Sequence, residues 1–145
     1  MRAIARDGMP ADFGGVACPK PEPRARVTRR RQRTAAKVVR SVREQCVDRD
    51  GYCRIWNASP TLQFGGCAGD SQWAHLGESK RFKTRGKPAE ERHTTAGTLM
   101  LCQRHHDMYD GRLHPRIAIE PQTDRGADGP MTYTSGRTQV CEVER

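Results

Sequence analysis

The sequence has little with which to build an apolar interior. Of its 145 residues 34% are hydrophobic and 6% aromatic, with two Trp, three Tyr and three Phe, and mean hydropathy is -0.87. A chain of this length buries a modest fraction of its surface. With so few large apolar side chains, something besides hydrophobic burial should help hold the fold, and a metal or disulfides would serve. Also missing are an internal repeat and any apolar run long enough to cross a membrane. The first residues, MRAIARDGMPADFGG, contain no apolar stretch of the kind a secretory signal needs. The expectation is a cytoplasmic protein with no membrane partner.

Six cysteines are present: Cys18, Cys46, Cys53, Cys67, Cys102 and Cys141. In a reducing compartment thiols stay free, so cysteines that share a segment with histidines read as metal ligands rather than as bridges. Charge is also distributed unevenly. Residues 1–40 hold eleven Lys/Arg against three Asp/Glu, and the remaining residues fifteen against fourteen. Residues 1–33 carry Gly, Pro and Arg without periodicity and end in PKPEPRARVTRRRQR, a composition that predicts a disordered basic arm. Its natural partner is a polyanion, bound through counterion release; a solvated tail is the plainer alternative.

Length suits one domain, here placed at residues 34–114, with residues 115–145 as a C-terminal hairpin or tail. In TAAKVVRSVREQCV, Thr34 to Val47, residues Val38, Val39, Val42 and Cys46 recur at helical spacing, with Thr34 as N-cap. YCRIWNASPTLQFGGCAGDSQWAHLG breaks into short β-like pieces, of which SQWAHL is the best strand. GESKRFKTRGKPAEERHTTAG reads as a long charged loop. TLMLC is a short apolar run leading into a helical QRHHDMYDG that Gly111 should end. RIAIEP and MTYT flank a turn-rich QTDRGADGP, as in a hairpin with a long loop.

The chemistry concentrates in Cys and His. Cys102 and His105 are two residues apart, the spacing by which a knuckle turn brings two ligands onto one tetrahedral ion. Cys53 follows the Asp50-Gly51 turn and Cys67 lies between Gly66 and Gly69, where backbone wraps tightly. Together Cys53, Cys67, Cys102 and His105 form a Cys3His set suited to a structural zinc. Cys46 is assigned to the core, and Cys18 and Cys141 to no role. On a helix His106 points about 100° away from His105 and shares a face with Asp110, as two ligands of a second, catalytic ion would. His75, at the end of SQWAHL, is placed to deprotonate a water for attack on a phosphodiester; the alternative is an ordinary core or surface histidine. Lys80, Arg81, Lys83, Arg85 and Lys87 are expected along a phosphate backbone, or else in a solvated loop.

Taken in order, RDGYC, a further Cys, the AHL strand end, the long loop and LMLCQRHHDMYD resemble the HNH endonucleases, the ββα-metal or His-Me finger nucleases, and above all their zinc-stabilised bacteriophage and prophage forms. The resemblance spans about Arg43 to Gly111. It implies an α+β fold of two antiparallel strands and a helix around one divalent ion, with a structural zinc knuckle, preceded by the amphipathic helix and basic arm. By the same resemblance His75 is the general base, His106 a ligand of a catalytic divalent ion such as Mg2+, and Asp110 a further ligand. The implied function is a metal-dependent DNA endonuclease; the alternative is a degenerate DNA-binding module or an accessory subunit of a phage packaging complex. Two positions depart from the pattern. Ala74 stands where the family has an Asp or His ligand, and Gly97 where it has its middle Asn.

Overall fold

The structure, a computed structural model, describes residues 24–59, 63–77 and 84–143. It opens with helix α1, Arg24–Asp50. No Pro or Gly interrupts this stretch, and Arg, Gln and Ala are good helix formers. The helix therefore starts ten residues before the expected N-cap, and residues 24–33 are helical rather than disordered. Thr34 sits inside the helix, its hydroxyl donating to the Arg30 carbonyl at 3.1 Å. The rest of the expected arm, residues 1–23, lies outside the described residues, as does Cys18. The first half of α1 is largely exposed, Val38, Val39 and Val42 are half-buried, and full burial comes only at Cys46 and Asp50.

Asp50-Gly51 forms the expected turn, with Gly51 at φ 65°. Directly after Cys53 comes a second helix, α2, Arg54–Ala58, where short β-like pieces were expected. Tertiary anchors override the β preference of Ile55 and Trp56: Ile55 is 1% exposed, and the Asn57 amide donates back to the Asp50 carbonyl at 2.7 Å. Strand β1, Ser71–His75, then pairs antiparallel with β2, Thr98–Cys102, in a register that sets Trp73 opposite Met100 and His75 opposite Thr98. Between them the charged segment contains the short helix α3, Ala89–Arg92. Every residue of β2 is buried, as a central apolar run should be. Helix α4, Gln103–Tyr109, follows β2 without a linker, and Gly111 at φ 76° turns the chain just after it.

Residues beyond 114 do more than form a tail. β3, Ala118–Pro121, pairs antiparallel with β4, Met131–Ser135, across the turn-rich loop, and β5, Thr138–Cys141, adds a third strand. This sheet supplies Ile119, Met131 and Tyr133 to the same core cluster as Cys53, Phe64, Ala74, Leu99, Leu101 and Met108. The fold is thus α+β, with a two-stranded and a three-stranded sheet around one core. Among the described residues no helix is long and apolar enough to cross a membrane.

Charged residues complete what the thin apolar core leaves open. Asp50 is 2% exposed and receives Nε of Arg49 at 2.6 Å, Nη1 of Arg54 at 3.3 Å and the Met100 N–H at 2.9 Å. Arg49 reaches onward to the carbonyls of Thr95 and Thr98 and to Asp128. Arg54 reaches Glu142 and the carbonyls of Ala127 and Gly129. Burial works against the Arg49 cation, but its hydrogen bond to Asp50 and the carboxylate's charge hold it firmly protonated. Helix α1, the β1-β2 pair and the C-terminal sheet are so joined through one carboxylate. Removing it takes one carboxylate partner from each of two half-buried guanidinium groups and leaves the Met100 N–H unpaired, so Asp50→Ala should cost about 3 kcal/mol in denaturant unfolding, whereas Asp48→Ala, exposed on the same helix turn, should change stability by less than about 0.5 kcal/mol.

Candidate metal centre and the neighbouring histidines

Cys53, Cys67 and the Cys102–His105 pair come from three separate pieces of backbone, yet their ligand atoms all lie within 4.8 Å of one another. Cys53 precedes α2 as its N-cap. Cys67 sits in a loop that is stitched to α4, Arg104 N–H donating to Ala68 at 3.1 Å and Gln103 N–H to Asp70 at 2.9 Å. Cys102 closes β2, and His105 lies in the first turn of α4, its backbone N–H directed at the Cys102 sulfur at 3.5 Å. That loop needs Gly69: its φ is 73°, and a Cβ there would come within 2.6 Å of Gln103 Oε1 and 2.7 Å of Gln103 Cβ.

The donor geometry fits a tetrahedral ion. The three sulfurs stand 3.3, 3.8 and 3.3 Å from His105 Nδ1. With metal–sulfur bonds of about 2.3 Å and a metal–nitrogen bond of about 2.0 Å, the sulfur–nitrogen edge of such a tetrahedron is roughly 3.5 Å. Hydrogen bonding alone does not explain the cluster, because one ring nitrogen has a single proton or a single lone pair for three thiols. All are free cysteines. Burial, joined by the charge of Cys53, pushes the Cys67 thiol well above the usual thiol range, and burial raises Cys53 as well. Three neighbouring thiolates need a cation to exist together. Burial also lowers the His105 pKa, favouring the neutral imidazole that ligation requires. This cluster can hold a metal ion such as zinc.

One residue further along α4, His106 faces a different neighbourhood. Its Nδ1 lies 2.6 Å from Gln72 Oε1, so that nitrogen donates to the amide oxygen and Nε2 is the one left for another partner. Nε2 in turn lies 3.5 Å from Asp110 Oδ2, a separation that two adjacent ligands of one ion would have. Arg112 also approaches Asp110, at 3.4 Å. Ala74 is fully buried in the core and offers no ligand. Among the described residues, the Cys3His cluster is the sole group of three or more Cys, His, Asp or Glu whose ligand atoms converge this closely; His75, His106 and Asp110 are not drawn into a second one.

His75 ends β1 with its Nε2 3.0 Å from Nδ1 of His93. Trp73, two residues earlier on the strand, stacks on His93 at 5.2 Å and leans on His75 at 5.0 Å. Burial first, and then the charges of His93, His106 and Arg92, lower the His75 pKa; burial and Arg92 lower that of His93. Sequence reasoning missed both Gln72 and His93. The two-residue period of β1 puts Gln72 on the same face as Ala74, a signal that was there to use. Nothing periodic marks His93, which caps the four-residue α3 inside the charged segment. Of the expected phosphate-contacting residues, Arg85 and Lys87 are exposed, and Lys80, Arg81 and Lys83 lie outside the described residues.

Comparison with protein-family models, with characterised proteins and with solved structures found no match for this chain.

Two measurements check the metal centre. Purified protein should carry one equivalent of zinc, and stripping it with a strong chelator should lower the thermal midpoint and open the buried Cys53 and Cys102 thiols to titration. Gly69→Ala, strained in φ and in contact distance, should cost more than about 1 kcal/mol and weaken zinc retention.

Proposed function

We propose that this protein is a zinc-stabilised, metal-dependent DNA endonuclease of the HNH type. The observation that carries the reading is one of placement: a half-buried histidine, His75, ends one strand of an antiparallel pair, and the helix that follows its partner strand presents His106 with Nε2 turned toward Asp110. Cys53, Cys67, Cys102 and His105 hold structural zinc in this reading and fix where α4 begins, and hence where His106 points. His106 and Asp110 hold a divalent ion such as Mg2+, whose contribution is to reduce the charge on the phosphate and on the leaving oxygen. Gln72 orients His106 by accepting its Nδ1–H. His75 takes a proton from the attacking water, for which its lowered pKa keeps it neutral at neutral pH. The basic face of α1, with Arg26, Arg29, Arg30, Arg33 and Lys37 along one stripe, supplies sequence-independent attraction to phosphates.

A second reading, a zinc-stabilised DNA-binding module without catalysis, is favoured by one observation. Ala74 is fully buried, so the strand face opposite His106 gives the ion no ligand at that position. Plasmid nicking with added Mg2+, Mn2+ or Ni2+ separates the two. A nuclease cuts, and His75→Ala lowers its rate by about 10²- to 10⁴-fold while DNA affinity and zinc content hold. Intact plasmid from zinc-loaded wild-type protein with all three metals removes the nuclease reading.

The lowered His75 pKa gives the pH profile a definite sign. A histidine at its ordinary value of 6.5 loses its basic nitrogen as pH falls through that value, but burial and the nearby positive groups delay protonation of His75 to lower pH. The acid limb of the cleavage rate should therefore lie below pH 6.5, as read from initial rates at constant ionic strength.

A further inference from the structure

We propose that His93 is the positioning residue for His75: its Nδ1 accepts the Nε2–H of His75 and so leaves Nδ1 of His75 as the nitrogen that takes the proton from water. The inference deepens the nuclease reading and rests on it for its catalytic part. Its ground is geometry. The two ring nitrogens are 3.0 Å apart, a distance at which one must donate and the other accept. His93 is held for the task from two sides. Its backbone N–H caps α3 by donating to Ala89 at 2.9 Å, and its ring lies on Trp73 with 30° between the planes. Trp73 thereby supports both members of the pair, since it also contacts His75.

Other groups near His75 leave this place to His93. Thr98, opposite His75 in the ladder, turns its hydroxyl to the Thr94 carbonyl at 2.6 Å and toward Cys46 at 3.3 Å. Gly97 has no side chain, and its carbonyl accepts the Leu76 N–H at 2.9 Å. A free imidazole exchanges between two tautomers and rotates about its side-chain bonds; a base that must receive a proton at one nitrogen gains from a partner that holds the other. In the step itself the O–H bond of water breaks, its proton passes to His75 Nδ1 and its electron pair remains on oxygen. That oxygen bonds to phosphorus as the bond from phosphorus to the leaving oxygen breaks with its pair. The imidazolium formed on His75 is held through Nε2–H by the neutral His93 ring. Burial lowers the pKa of both rings, which keeps His93 an acceptor at neutral pH.

The test uses the full-length, zinc-loaded protein and a defined DNA duplex with Mg2+ or Mn2+. His93→Ala should lower kcat on the order of 10- to 100-fold with KM little changed. His93→Asn, whose side-chain amide places an acceptor near the former Nδ1, should recover much of that loss, and His75→Ala/His93→Ala should be no slower than His75→Ala. Wild-type kcat in His93→Ala, a loss confined to KM, or no recovery in His93→Asn at equal zinc content would each overturn the proposal. Ring-nitrogen NMR at pH 7.5 reads the pair without cleavage. His75 should carry its proton on Nε2 in the wild type and divide between tautomers in His93→Ala. A wild-type His75 protonated on Nδ1 overturns the proposal, whether or not DNA is cut; absence of cleavage by the wild type, with the His75 tautomer as expected, removes the nuclease reading alone.

Discussion

Four ligand atoms from three stretches of backbone have to arrive within 4.8 Å of one another, and much of the rest of this structure follows from that meeting. Cys53 fixes where α2 starts, Cys67 pulls its loop onto the N-terminal end of α4, and Cys102 with His105 makes the end of β2 and the start of α4 a single rigid unit. A chain with three Phe and three Tyr would gain from a metal at this cluster what a larger core would otherwise supply. Metal binding to a structural zinc site is worth on the order of 10–16 kcal/mol, and where the site does not exist in the unfolded chain that energy becomes folding energy. A metal held by this cluster would outweigh any other single interaction here. Orientation follows as well as stability: once His105 is directed at the sulfurs, the helical repeat fixes the direction of His106.

The charge cluster around Asp50 acts differently. A buried ion pair returns in attraction roughly what it costs in desolvation, so the network is a weak source of net stability. Its effect is on position. Asp50 accepts from Arg49, Arg54 and the Met100 backbone, and the two arginines reach Asp128 and Glu142 from there. A shift of α1 along its axis by one residue would take that carboxylate off the Met100 N–H, its partner on β2. The network thus selects one docking of the long helix, whose first half has few apolar side chains of its own to choose with.

Local features were legible in the sequence, and long-range ones were not. SQWAHL, TLMLC and QRHHDMY fold where period and punctuation placed them, and the Cys3His set assembles as spacing suggested. Cys46, assigned to the core, is fully buried against Thr98. The start of α1 was misjudged because its arginines were weighed as a solvated charge run, while arginine is also a good helix former and the last proline before the helix is Pro23. Helix α2 was missed because Ile55 and Trp56 favour strands locally, and its anchors, Asn57 to Asp50 and Arg54 to Glu142, are tertiary. His93 meets His75 only because α3 folds back toward the end of β1, and no pattern of period two or 3.6 records a contact between residues 18 apart.

Ala74 gives the clearest constraint on the chemistry. Its side chain is fully enclosed, and alternation along β1 puts it on the face of Gln72, which already touches His106. A carboxylate at position 74 would therefore be a buried charge, tolerable only beside a cation. With alanine there, the proposed nuclease would have two protein residues, His106 and Asp110, to hold its divalent ion. Magnesium suits that arrangement, since it gives up its waters reluctantly and is commonly held by one or two side chains together with the substrate's phosphates. An ion bound so sparingly would be weakly held in the free protein and gain most of its affinity once DNA is present. In the proposed nuclease the alanine would move ion binding toward the complex with DNA, and orientation of the attacking water would fall more heavily on His75 and on the histidine that contacts it.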